Sequence, residues 1–326
     1  MNNVHEDAIK VQAEQMKRFV SAVAQKSGMP EAKAEFLAHL LVENDLRGVF
    51  SHGTQQIAAY ARLMRDRVIN PDPHVYATAE TPTTVIIDGD GGLGYFPAYQ
   101  GAEAIIEKAR THGLAAAVTR NHGHIGAAGI YARLLVENDL IAYVTSGTQL
   151  NLSPEQSIMR AAGGSPMSFA VPSGQESPMI LDFGTMHDLY ASDPHVSELF
   201  DLAPGLVFRS MGLGFMCQAL GGFLAGITLD KNDAARTFKG GYQGSLIIAL
   251  DINRFLPLDD FKKQMDNYMK ITSQMKPMPG YDKATLPGVL EATREKDWRI
   301  SGIPVATSHM AILAKVADEF AVPFPF

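Results

Sequence analysis

Residues 83–119 constrain the fold most. Thr83-Thr84-Val85-Ile86-Ile87-Asp88 is rich in β-branched residues and predicts a strand. Residues from about Pro97 to His112 predict a helix, and Leu114 to Thr119 a second strand. Between the first strand and the helix lies Gly89-Asp90-Gly91-Gly92-Leu93-Gly94. Strand, turn, helix, strand places the chain in the α/β class. The turn fits the G-x-G-x-x-G pattern of a dinucleotide-binding Rossmann unit, which wants an acidic residue about twenty positions on. Here the next strand runs into Arg120-Asn121. Four glycines in six residues also build a tight turn with no ligand, so the pattern alone leaves two readings.

The rest of the chain extends the alternation. Residues 6–27 carry Val11, Met16, Phe19, Val20 and Val23 at helical spacing. Gly28-Met29-Pro30 breaks that run, and Glu31 to Glu43 predicts a second helix with Ala32, Phe36, His39 and Leu40 inward. A third helix is expected from Ser51 to the Asn70-Pro71-Asp72-Pro73 linker. Ile141 to Thr145, Phe169 to Val171, Met179 to Thr185 and Gly244 to Asp251 read as strands; Leu258 to Met275 and His309 to Phe320 read as helices.

Ser210 to Leu229 contains no charge and is long enough to span a bilayer. Its glycines and Gln218 favour a buried core helix, so no membrane partner is expected. The net charge of −7 argues against nucleic acid, which needs a basic face. The single cysteine, Cys217, excludes an intramolecular disulfide. No apolar leader precedes the first helix, so a soluble cytoplasmic protein is expected.

Two stretches carry chemistry. In Glu43 to Tyr60, ENDLRGVFSHGTQQIAAY, Ser51 is a candidate N-cap. A helix starting there would put His52, Gln56 and Tyr60 on one face. The bland alternative is a capped helix whose histidine bonds a neighbour. In Arg120-Asn121-His122-Gly123-His124-Ile125-Gly126-Ala127-Ala128-Gly129, small residues permit a close backbone approach, and the helix start that follows favours an anion such as a pyrophosphate. His122 and His124 stand two apart with no carboxylate at ligand spacing, so no metal is expected.

Asp45-Leu46-Arg47-Gly48, Ser51-His52-Gly53, Tyr60 and Ile69-Asn70-Pro71 together resemble the signature of the malate/L-lactate dehydrogenase family of the second type, the sulfolactate dehydrogenase-like NAD(P)H oxidoreductases. The resemblance covers nearly the whole chain and is weakest over residues 186–210. It implies an α/β fold with a mixed, largely antiparallel central sheet rather than a Rossmann sheet. It also implies a helical dimerisation and active-site unit of residues 1–72 with 305–326, and a cofactor-binding unit of residues 73–304.

The resemblance makes His52 the proton donor and has His124 orient the substrate, with Ser51 and Tyr60 as hydrogen-bond partners and Arg47 and Gln56 on the substrate side. Cofactor-side candidates are His124, Gly126, Ala127, Ser146, Thr148, Asp182, Gly184, Thr185, Ser210, Met211, Pro287 and Gly288. Two positions depart from the family: Gln56 stands where it has a carboxylate-binding arginine, and Met211 where it has a lysine. The expected enzyme is a homodimer moving a hydride between NAD or NADP and a small 2-oxo or 2-hydroxy acid or cyclic imino acid. Two alternatives stay open: a specialised ketimine or natural-product reductase, and a scaffold that has lost its cofactor.

Overall fold

The structure is a computed structural model describing residues 6–186, 195–229 and 236–326. The chain forms two compact units, Met1–Pro73 with Met269–Phe326, and His74–Tyr268.

In the helical unit the two ends of the chain meet. Strand β1 (Ile9–Val11) pairs antiparallel with β9 (Ile303–Val305), Ile9 opposite Val305. The first helix therefore starts at Ala13 and not at residue 6. This helix, α1 (Ala13–Lys26), buries Met16, Phe19, Val20 and Val23. They pack on α2 (Glu31–Leu46), whose buried side is Ala34, Leu37, Ala38 and Leu41. Each buried leucine is worth roughly 2 kcal/mol, and two leucines one turn apart outweigh the single Phe36 in setting the inward face. Ala32 and His39, expected inward, are exposed.

Among the described residues this unit also holds α3 (Ile57–Arg65), the end of α8 (Leu258–Ser273) from residue 269, α9 (Val289–Ser301) and α10 (Thr307–Glu319). The sequence carried little sign of α9, which buries only Trp298. It is fastened to α2 by an ion pair from Arg299 to Glu43 at 2.7 Å, which helps bring residues 269–304 into the helical unit.

The other unit is built on a seven-stranded sheet. Its strands are β2 (Tyr76–Glu80), β3 (Thr84–Asp88), β4 (Leu114–His122), β5 (Leu140–Thr148), β6 (Pro166–Val171), β7 (Met179–Gly184) and β8 (Gln243–Asp251), in the order β2-β3-β4-β8-β5-β6-β7. Only β3 and β4 run parallel; every other pairing is antiparallel. Helix α4 (Tyr95–His112) makes the crossover between the parallel pair. It lies so close to the sheet that a Cβ built on Gly101 would stand 3.1 Å from Ala117 Cβ. That spacing explains why the helix-facing residue Ala117 is small. Val85, Ile87, Ala117, Ala142, Val144 and Ile247 form the core with side chains of α4 and of α5 (Gly129–Val136). The exposed strand β2 ends the sheet with a register shift between Ala77 and Ala79, a common way to blunt an edge.

After α6 (His195–Leu202), α7 (Pro204–Cys217) continues as a π-helical turn, Gln218–Phe223. The expected buried core helix is buried along one side only. Val207, Met211, Gly214, Cys217 and Gly221 are buried, while Phe208, Met216 and Leu224 are more than half exposed. By length and composition Pro204–Phe223 could cross a membrane, but one such helix is weak evidence for a span.

Candidate active site

In the helical unit the Ser51–His52 segment is not the start of a helix. Two 3-10 turns, Phe50–His52 and Thr54–Gln56, precede α3, with Gly53 extended between them (φ −94°, ψ −151°). The physical reason lies beneath the turn. A Cβ on Gly53 would stand 1.7 Å from Asp45 Oδ1, and the Asp45 carboxylate draws the Thr54 amide toward it at 3.2 Å, so the backbone cannot wind straight on from Ser51. Ser51 does not cap; its Oγ meets His52 Nδ1 at 3.0 Å. Asn44 Nδ2 donates to the His52 carbonyl at 2.9 Å, and Gln56 Nε2 to the Ser51 carbonyl at 2.6 Å. Ser51 thus meets the ring of the half-buried His52 and Asn44 holds its backbone, while Gln56 ties the carbonyl before it.

Of the other residues expected here, Tyr60 lies in the core of the unit at 3% exposure, away from the one-face arrangement with His52. Arg47 bridges two carboxylates, Glu43 and Glu295, each at 2.9 Å. Its Nε is buried without a hydrogen bond. Pro287 and Gly288 also belong to this unit, where Gly288 (φ +86°) leads into α9. Phe50 stacks on Trp298, centroids 5.9 Å apart, and its ring edge meets His309 of α10 at 6.3 Å. His309 and Asp45, both buried, escaped the sequence reading; Asp45 was visible only as part of a motif.

In the sheet unit the glycine turn wraps a histidine. Cβ atoms on Gly89 and Gly94 would each stand 2.7 Å from the His122 side chain, at its Cβ and Nδ1. His122 is fully buried, with Nε2 at 2.7 Å from Thr119 Oγ1 and Nδ1 at 2.7 Å from the Gly123 carbonyl. Burial pushes its pKa down to about 4, so it is neutral near pH 7. The tight-turn reading of G-x-G-x-x-G accounts for these contacts.

His124 is half-buried on the loop after β4, and its carbonyl accepts from the Gly94 amide at 3.0 Å. Gly126 has φ +73°, and a Cβ there would stand 2.4 Å from the Tyr95 hydroxyl; Ala127 is buried. The α5 N-terminus, expected to face a pyrophosphate, already has an anion: the Gly129 amide donates to Asp182 Oδ2 at 2.9 Å.

Buried Ser146 and half-buried Thr148 lie at the end of β5, with the π-turn packed backbone to backbone on them. A Cβ on Gly147 would stand 2.3 Å from the Gly222 nitrogen. Gln218 then docks its carboxamide on Thr148: the Thr148 amide donates to Oε1 at 3.1 Å and Nε2 donates to the Thr148 carbonyl at 2.6 Å. Gly184 ends β7; next to it Thr185 donates from its amide to Ser165 Oγ and from its hydroxyl to the Ser210 carbonyl, both at 2.9 Å. Met211 is buried in an apolar cluster with Ala162, Met186 and Val207.

Comparison with known proteins decides the family. Residues 11–187 and 194–314 match malate/L-lactate dehydrogenase. This chain belongs to the malate/L-lactate dehydrogenase family. It is similar to malate dehydrogenase of Pyrococcus horikoshii, 27% identical with 98% of each chain covered; the solved structure of that protein superposes with a TM-score of 0.85. It is also similar to L-sulfolactate dehydrogenase of Methanocaldococcus jannaschii, 26% identical over 95% of this chain and 96% of that one. A Δ1-piperideine-2-carboxylate reductase from Pseudomonas syringae, 16% identical, shares the fold with a TM-score of 0.72, covering 95% of this chain and 100% of that one. The protein is therefore a dehydrogenase or reductase, with the mixed, mostly antiparallel sheet that the resemblance implied.

The family implies a nicotinamide dinucleotide, and the sheet unit offers a mixed match to one. Thr148 accepts a primary carboxamide on its backbone N–H and C=O, and nicotinamide carries the same group. Asp182, Thr185 and Ser146 add the acceptors and hydroxyls that ribose hydrogen bonds need. None of these residues supplies a cation for the pyrophosphate. Arg120 and Arg236 instead border a cleft of about 210 Å³ lined also by Asp88, Asn121 and Gly241.

Proposed function

We propose that this enzyme reduces a small 2-oxo acid or cyclic imino acid to the 2-hydroxy acid or cyclic amino acid with NADH or NADPH, and in reverse oxidises that product with NAD or NADP. When bound, the nicotinamide supplies or accepts the hydride. His52 moves the proton: it donates to the substrate oxygen or nitrogen on which charge develops, and recovers that proton in reverse. The observation that supports this reading is the contact of Ser51 Oγ with His52 Nδ1 at 3.0 Å, which orients the imidazole of a half-buried histidine. Tyr60 and Arg47 are given structural roles, because one is in the core and the other is ion-paired twice. Ser146, Thr148, Asp182 and Thr185 are the residues assigned to the nicotinamide half, His124 to substrate orientation, and Pro287 and Gly288 to the adenosine half.

Gln56 narrows the substrate. A neutral amide replaces the family's charge-assisted grip on a carboxylate, a loss on the order of 2–3 kcal/mol, or roughly 30- to 150-fold in efficiency. Malate and lactate are therefore expected to be poor substrates, and ketimines or oxo compounds without a carboxylate at that point better ones. Titration of the purified protein with NADH and NADPH, followed by nicotinamide fluorescence, tests the cofactor. Micromolar binding of either opens a substrate screen; binding of neither by folded protein refutes the reading and favours a scaffold without cofactor. The exposed Phe208, Met216 and Leu224 favour a homodimer, which light scattering would measure.

A further inference from the structure

Beneath the Ser51–His52 turn lie three buried polar groups that the proposed chemistry does not use. Asp45 is completely buried, and its carboxylate accepts from the Thr54 amide at 3.3 and 3.2 Å and from the Thr54 hydroxyl. On its far side the same hydroxyl meets His309 Nε2 at 3.0 Å. A hydroxyl carries one proton, so the protonation of Asp45 fixes the donor direction along the whole line. With Asp45 ionised, Thr54 donates to the carboxylate and His309 Nε2–H donates to Thr54. With Asp45 protonated, the carboxyl donates to Thr54, Thr54 donates to Nε2, and His309 carries its proton on Nδ1. The atoms balance: one proton taken up at Nδ1 is matched by one passed from Nε2 to Thr54 and one from Thr54 to Asp45.

Burial makes the exchange accessible near neutral pH. It pushes Asp45 up to about 7 against the two Thr54 hydrogen bonds, and His309 down to about 4, so the imidazole stays neutral throughout. The charged groups on the surrounding elements are occupied. Glu43 and Arg47 of α2 pair with Arg299 and Glu295 of α9, Arg62 and Arg65 of α3 pair with Glu319 of α10, and Arg294 lies over Trp298. The line is also tied to the turn above it. Gly53 leaves no room for a Cβ over Asp45, and the neighbouring Asn44 holds the His52 carbonyl.

We propose that Asp45, Thr54 and His309 form a proton relay that positions the Ser51–His52–Gly53 turn, its hydrogen-bond direction reversing with a single proton. Its importance for turnover rests on His52 being the proton donor; the relay itself does not.

The test is an NMR titration from about pH 5.5 to 8.5, following the imidazole nitrogens of His309 and His52 in the native protein, Asp45→Asn and Thr54→Val. Asparagine presents an NH₂ to Thr54 and so imitates the protonated carboxyl. In the native protein the His309 proton should move from Nε2 to Nδ1 as pH falls through about 7, the value burial gives Asp45, with the His52 signals shifting at the same midpoint. Asp45→Asn should hold His309 in the Nδ1–H form at every pH and leave His52 unresponsive at that midpoint. Thr54→Val, which breaks the line elsewhere, should abolish the tautomer change as well. In turnover, Asp45→Asn should lower kcat about tenfold with KM little changed, as expected for one lost positioning hydrogen bond. A native His309 tautomer that ignores pH, or an Asp45→Asn protein that titrates like the native one, overturns the relay. His52 signals indifferent to Asp45 overturn its positioning role. Failure to bind either nucleotide refutes the active-site reading alone, because the NMR titration decides the relay without turnover.

Discussion

His122 should make the sheet unit acid-labile by a calculable amount. Its folded pKa is lowered to about 4 by burial, from the ordinary histidine value of 6.5. A group depressed on folding contributes stability that is fully present above its unfolded pKa and is lost as pH falls toward the folded one. The window here is 6.5 down to 4. At pH 5 the unfolded chain binds this proton and the folded one largely does not, which costs about 2 kcal/mol relative to pH 7.5. The variant His122→Gln stays neutral throughout. It will have its own baseline stability, so the relevant quantity is the change between the two pH values. Urea unfolding followed by circular dichroism at pH 7.5 and 5.0 should show a loss about 2 kcal/mol smaller in the variant. That corresponds to about 1 M in the urea midpoint at a slope of about 2 kcal/mol/M. Other histidines, His309 among them, act equally in both proteins and cancel. An identical pH dependence in the two would refute the claim that His122 is buried neutral.

Gly53→Ala forces a Cβ to within 1.7 Å of a buried carboxylate oxygen, so either Asp45 or the His52 turn must move. A loss of about 3 kcal/mol in thermal stability of the helical unit, with turnover abolished, is expected; native-like melting and activity would contradict the geometry. Gln218→Ala vacates the amide and carbonyl of Thr148. If nicotinamide docks there, fluorescence titration should show NADH or NADPH binding about five- to tenfold more tightly, because one competing hydrogen-bonded contact is gone; an unchanged Kd would place the nicotinamide elsewhere. Arg47→Met removes one of the two cations, Arg47 and Arg299, that bridge Glu43 and Glu295, at a cost of about 2 kcal/mol. Calorimetry that shows no change would mean that α2 and α9 are held by other contacts.

The elements with strong local signals were legible. Strand β3, the glycine turn, α4 and the first part of β4 fall within a few residues of expectation, as does α10. Their signals are local: β-branched runs, glycines and helical spacing. Elements with little amphipathic pattern were missed, such as α9 with its single buried Trp298, and the three-residue strands β1 and β9. At the site, Ser51, His52 and Gln56 do come together, but through 3-10 turns instead of one helix face.

The sequence by itself determined the alternation of strands and helices, the family signature and the two departures at Gln56 and Met211. Those are properties of residues and their near neighbours. Tertiary structure alone decided which strand edges pair, because a backbone edge carries no label for its partner; β8 enters between β4 and β5 from about a hundred residues downstream. It also decided why Gly53 is glycine and which polar groups are buried together. Thr54 and His309 meet across 255 residues of chain, and no spacing in the sequence announces a contact that only burial makes strong.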